Sequence, residues 1–124
     1  MCIRDSYYED YVLSIKYFNL AIGVKPYLYE PWYYRSVAKF NLDDFVEPEG
    51  DANEALKLSP YINDIYDLRS ITRIRQGRYD EAISDYDAAI RLEPRNRNYW
   101  FNRALCKMEA VSYTHLTLPT KLEV

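Results

Sequence analysis

Two close pairs of carboxylates, Asp80/Glu81 and Asp85/Asp87, come nearest in spacing to acid–base chemistry. In glycoside hydrolysis one such group protonates the leaving oxygen while the other attacks or activates water. Here the four acids lie on the polar side of an apolar series, Tyr79, Ala82, Ile83, Tyr86, Ala89 and Ile90, whose helical spacing places them in solvent. Pairing of Asp85 or Asp87 with Arg91 along the same helix is the expected fate of these charges. The acidic run Glu47, Glu49, Gly50, Asp51 invites comparison with a calcium loop. With Gly50 at the sixth loop position, however, the first and twelfth fall on Phe45 and Leu56, which bring no oxygen ligand. Nucleophiles are as sparse. Cys2 and the single histidine, His115, lie in the terminal segments, and Cys106, beside Leu105 and Met108, reads as a small packed thiol. A glycine-rich phosphate loop and a G-x-S-x-G turn are both missing from the sequence. No catalytic, metal-ligating or cofactor-binding residue is assigned, no cofactor is implied, and an enzyme is not expected.

Composition narrows the rest. No run approaches the roughly 18 apolar residues of a membrane-spanning helix, and the formal net charge of -3 opposes a polyanion-binding surface. Arginines do cluster, at Arg69, Arg73, Arg75, Arg78, Arg91, Arg95, Arg97 and Arg103, with Tyr99 and Trp100 nearby, the composition of an RNA-binding helical repeat. Interleaved Asp80, Glu81, Asp85, Asp87 and Glu93 favour surface pairing instead, so neither nucleic acid nor membrane is an expected partner. Only 3 glycines against 14 tyrosines point to packed helices.

The elements that position these residues recur. Pro26, Pro60 and Pro94 follow one another at the same interval twice over, and alanine precedes each by five positions, at Ala21, Ala55 and Ala89. An aromatic recurs at Tyr11, Phe45 and Tyr79, and another at Trp32, Tyr66 and Trp100, each of the latter followed four residues on by Ser36, Ser70 or Ala104. A bulky ring and a small side chain on one helical face, twice per unit, describe two helices packed closely together. Gly77 supplies a turn able to take positive φ, and Pro94 ends the helix that begins at Tyr79. Pro48 and Gly50 oppose a helix interior by roughly 3 and 1 kcal/mol, so the helix before Pro60 is expected to start late, with Asp51 and Glu54 as its capping signal.

This 34-residue pattern resembles the tetratricopeptide repeat, W-x2-L-G-x2-Y then A-x3-F then P. The block from Asn63 to Asn96 matches best, through Tyr66, Ser70, Gly77, Ala82, Tyr86, Ala89 and Pro94, with Arg69 and Arg73 standing where the family has Leu and Tyr. The resemblance implies an all-α fold, an α-solenoid of antiparallel helix pairs with two full repeats, 29–62 and 63–96, flanked by half repeats at 7–28 and 97–110. Residues 1–6 and 111–124 resemble translated sequencing-adapter segments, an artefactual leader and an artefactual or disordered tail, and are set aside from fold reasoning.

In this family the first helix of each unit lines a concave groove through its second, fifth, ninth and twelfth positions. Carried over, these are Glu30, Tyr33, Val37 and Phe40, then Asp64, Asp67, Ile71 and Ile74, then Asn98, Phe101, Leu105 and Met108, with Asn102 at the sixth position of the last helix. The resemblance thus implies a non-catalytic scaffold that binds a peptide or partner helix, with Glu30, Tyr33, Val37, Asp64, Asp67, Ile71, Asn98, Phe101 and Asn102 as the groove. An apolar lining with an acidic rim suits a basic or apolar protein partner. Some members clamp chaperone C-terminal carboxylates with lysine, asparagine and arginine on these faces; here the fifth and ninth positions hold Tyr33 and Val37, then Asp67 and Ile71, with Asn98 and Asn102 at the second and sixth positions of the last unit, so the basic clamp is missing. A fused enzymatic or signalling domain outside this segment is the alternative context, and the cytoplasm is the default location.

Overall fold

The computed structural model describes residues 3–117, with side chains over residues 7–112; Cys2, the side chain of His115 and the segment from residue 118 onward lie outside the described residues. Six helices follow one another: α1 (Ile3–Val24), α2 (Tyr29–Asn41), α3 (Glu47–Leu58), α4 (Asn63–Arg75), α5 (Tyr79–Leu92) and α6 (Arg97–Thr117). No strand occurs among the described residues. Each helix packs on its chain neighbours, and α2 also touches α4, so the helices stack in sequence order as an all-α solenoid.

The sequence period governs where helices begin and end. Starts at Tyr29, Asn63 and Arg97 share one column, as do ends at Val24, Leu58 and Leu92, two residues ahead of each proline. A proline disfavours helical geometry in the residue before it, which explains the common stop. The aromatic column closes over the same prolines: Trp32 Nε1, Tyr66 Oη and Trp100 Nε1 donate to the carbonyls of Pro26, Pro60 and Pro94 at 3.1, 3.0 and 2.8 Å. The three rings share this bond, while Trp32 and Tyr66 are half-buried and Trp100, on the last helix, is exposed.

The turns inside each full repeat match as well. Gly77 adopts φ 77, and Asp43, its counterpart one repeat earlier, adopts φ 63, a region that aspartate tolerates better than most residues. Both turns carry the same closing bonds, Gly77 N to Ile74 O and Arg78 N to Arg73 O, then Asp43 N to Phe40 O and Asp44 N to Lys39 O.

Small residues bring the helices together. Ala52, Ala55, Leu56 and Ile65 form one core cluster, against which Trp32, Tyr33 and Tyr66 pack. Ala82, Tyr86, Ala89, Ile90, Tyr99 and Cys106 form a second, completed by Tyr79 and Ile83. The apolar face expected of 79–92 is therefore the face that is buried. A further column, Ala38, Thr72 and Cys106, is buried in three alternate helices, α2, α4 and α6.

Several expectations need correction. The helix before Pro60 starts at Glu47, only two residues later than its counterpart α5, because Pro48 falls in the first turn, where its missing N–H has no bond to lose. Asp51 does not cap it; Val46 is the N-cap residue, and the N–H groups of Val46 and Glu47 donate to Asp44 Oδ1 at 3.0 and 3.2 Å. Asp85, placed in solvent by its charge, is buried at 1% exposure. It is held by Arg69 and Arg73 of α4, and Asp87 by Arg103 of α6, so the partners come from neighbouring helices and not from Arg91. The last helix, whose apolar periodicity fades near Ala110, continues to Thr117.

Candidate functional site

Arg69, standing where the resemblance calls for leucine, is engaged on three sides. Its Nε and Nη2 donate to Asp85 at 3.1 and 2.6 Å, its Nη1 donates to Asn53 Oδ1 at 2.8 Å, and its guanidinium lies 5.8 Å from the Tyr66 ring centre. Arg35, in the same column one repeat earlier, duplicates the arrangement with Asp51, Asn19 and Trp32. Arg103, one repeat later, bonds Asp87 at 2.5 Å over Trp100. A second cation one turn on completes the two buried carboxylates, Lys39 on Asp51 at 3.3 Å and Arg73 on Asp85 at 3.0 Å. A fork of donors matched to a carboxylate is the geometry that makes a buried charge tolerable. For Arg35 and Arg69 the acid lies at one fixed offset ahead, whereas Arg103 reaches back to Asp87, and neither pairing is legible until two helices are set side by side.

Half of the arginines that recommended RNA are engaged by carboxylates within the fold. Arg69, Arg73, Arg78 and Arg103 all face carboxylates. A shallow depression of about 620 Å³ beside α3 and α4, lined by Gly50, Asn53, Tyr66, Arg69 and Arg73 among others, belongs to the same ladder.

The inner positions of α2, α4 and α6 make a different surface. Glu30, Asp64 and Asn98, in one column, are all exposed, while Tyr33, Val37, Asp67, Ile71 and Asn102 are half-buried and Phe101 is 64% exposed. The structure brings Tyr33, Asp64 and Asp67 into one electrostatic neighbourhood: burial, then Asp64, pushes the Tyr33 phenol up to about 12, with Asp67 adding to it. Burial and then Asp64 also raise the Asp67 carboxyl above its ordinary value. Glu30 and Asp64 both act on Tyr29, where burial is again the leading cause of a raised phenol. Val37, Asn98, Phe101 and Asn102 stand on the flanking helices and are not part of this cluster.

Two tyrosines that read as core or as RNA-facing rings join it. Tyr86 is pushed up to about 12 chiefly by burial, opposed by a hydrogen bond with Ser70, with Asp67 contributing. Tyr99 is raised by burial, and its oxygen accepts from Asn63 Nδ2 at 3.1 Å. Raised phenols stay protonated at neutral pH. The Cys106 thiol, which burial pushes up to about 11, points its sulfur at the Tyr79 carbonyl. Among the described residues no cluster of His, Cys, Asp and Glu is placed to hold a metal ion, and no helix is long and apolar enough to cross a membrane.

Stacked helix pairs at one constant period, with aromatic and small residues in register, define the fold of a tetratricopeptide-repeat domain. Residues 73–108 match the family model described as TPR repeat. The structure is similar to the first TPR of Spaghetti (RPAP3) bound to the HSP90 peptide SRMEEVD, at 24% identity, TM-score 0.79 and 87% coverage of each chain. It is similar also to the Arabidopsis OM64 TPR domain, at 22% identity and TM-score 0.77, covering 82% of this chain and 84% of that one. The second TPR domain of human RPAP3, in complex with the HSP70 peptide SGPTIEEVD, aligns at 20% identity and TM-score 0.75, covering 84% and 88%. No curated protein sequence matches the chain.

Proposed function

We propose that this chain is a non-catalytic interaction module whose concave face, lined by Glu30, Tyr33, Val37, Asp64, Asp67, Ile71, Asn98, Phe101 and Asn102, seats a peptide or partner helix. The supporting observation is the register of the inner face. Three helices in one repeating register turn the column Glu30, Asp64 and Asn98 to solvent, with Tyr33, Val37, Asp67, Ile71 and Asn102 half-buried beside it, while other sides of these helices are spent on core packing and the arginine ladder. A preformed, rigid surface of this kind binds without the cost of ordering itself, and half-buried tyrosines add contact area at little entropic cost. Two of the similar domains hold peptides. The reading takes 7–28, 29–62, 63–96 and 97–110 as half, full, full and half repeats.

The test pairs Tyr33→Ala with Asp67→Lys. Capture of a polypeptide from the source lysate is expected to fall by about tenfold, in the range of losing one anchor residue, with helical circular dichroism unchanged. Undiminished capture by the double variant would remove the groove from consideration.

A further inference from the structure

The acids on the inner face differ from those at the helix seams. Asp51 has Arg35 and Lys39, Asp85 has Arg69 and Arg73, and Glu49 has Arg73 and Arg78. Asp67 has none. Its Oδ1 is shut off from solvent without a hydrogen-bond partner, and among the described residues no cation lies within ion-pair distance of Asp67 or of exposed Asp64. Nor is any cation among the groups that shift Tyr33, Asp67, Tyr86 or Tyr99, whose charged neighbours are acids. A desolvated carboxylate held beside a second one is costly unless a positive charge arrives to offset both.

From this surface, and resting on the groove reading above, we infer that the groove receives a basic segment, with a lysine or arginine over Asp64 and Asp67 and an apolar side chain of the same segment against Ile71. Asp67 and Ile71 lie one turn apart on α4, and Asp64 and Ile71 two turns apart, roughly 6 and 10 Å along the helix axis. An extended chain at about 3.3 Å per residue covers that span in two to three residues, so the motif is a cation followed, in either direction, by an apolar residue two or three positions away. The polarity is the reverse of that in the similar domains, whose peptides end in EEVD and are themselves acidic. In this chain the negative charge resides on the domain.

The probe is a fluorescein-labelled peptide carrying Lys-Ser-Ser-Leu twice in a Gly/Ser frame, read by fluorescence anisotropy against a version with both lysines replaced by glutamate. The lysine peptide is expected to bind the whole chain, to weaken about tenfold with Asp64→Asn and Asp67→Asn together, and to weaken similarly as salt rises toward 1 M, where screening acts within about 3 Å. Ile71→Ala is expected to weaken it as well. Equal or tighter binding of the glutamate peptide, sensitive to Ile71→Ala, would overturn the basic partner and leave the groove standing. Binding of the lysine peptide that neither the Asn pair nor Ile71→Ala alters would overturn both readings, and so would the failure of both peptides to bind. Self-association in sedimentation that the Asn pair abolishes would assign the face to a second copy of the chain and overturn the inference. Thermal unfolding separates folding from binding, since replacing Asp67 by Asn removes an unpaired charge and is expected to leave the melting temperature unchanged or raised.

Discussion

Asp85 and Asp67 sit on adjacent helices of one repeat, α5 and α4, and the same side-chain chemistry serves opposite ends. Asp85 is almost wholly buried and gripped by two arginines; Asp67 is half-buried and gripped by nothing. Burial alone does not distinguish the two carboxylates. What distinguishes them is whether the fold supplies the counter-charge. The seam between helices supplies it, and the inner face withholds it.

That contrast breaks most visibly at Asp85. Its replacement by alanine strands Arg69 and Arg73, both largely buried, and is expected to cost about 3–5 kcal/mol in urea unfolding. The double variant with Arg69→Ala is expected to lose less than the sum of the single losses, because the two groups share one interaction. Arg103→Ala tests the exposed end of the ladder, where Asp87 keeps 41% of its side chain in solvent. There the loss is expected to be about 1 kcal/mol, made up of a weak ion pair and the stacking on Trp100.

The smallest effect has the opposite sign. Asp67→Asn is expected to stabilise the chain at pH 7 by about 0.5 kcal/mol, the scale of a partly solvated site. Because the folded carboxyl titrates above its unfolded value, the penalty of ionisation is fully present above the folded pKa. It fades as pH falls through that value and is gone below the ordinary carboxylate value. The advantage of the variant should therefore shrink on acidification.

Much of this architecture could be read from spacing alone. A proline once per period, with an aromatic six positions beyond it, marks the helix ends at Val24, Leu58 and Leu92 and the starts at Tyr29, Asn63 and Arg97. Pro48 misled because a proline opposes a helix only from its second turn onward. Asp85 misled because the rule that pairs charges three or four residues apart on one helix cannot see a partner on the next. Tyr86 and Tyr99 read as core or as nucleic-acid stackers, and they are core; their effect on the inner face arises only where α4, α5 and α6 meet. The groove positions came from the resemblance, but the absence of a cation beside Asp67 could not, since it depends on which way every arginine turns.

Each full rung of the ladder reaches backward as well as forward, Arg69 to Asn53 of the preceding unit and to Asp85 of its own. A guanidinium shared across the joint ties the fate of one unit to the next, as nearest-neighbour coupling in a linear array requires. Pulled from its two ends, such a chain would resist peeling helix by helix and would yield in steps set by these rivets.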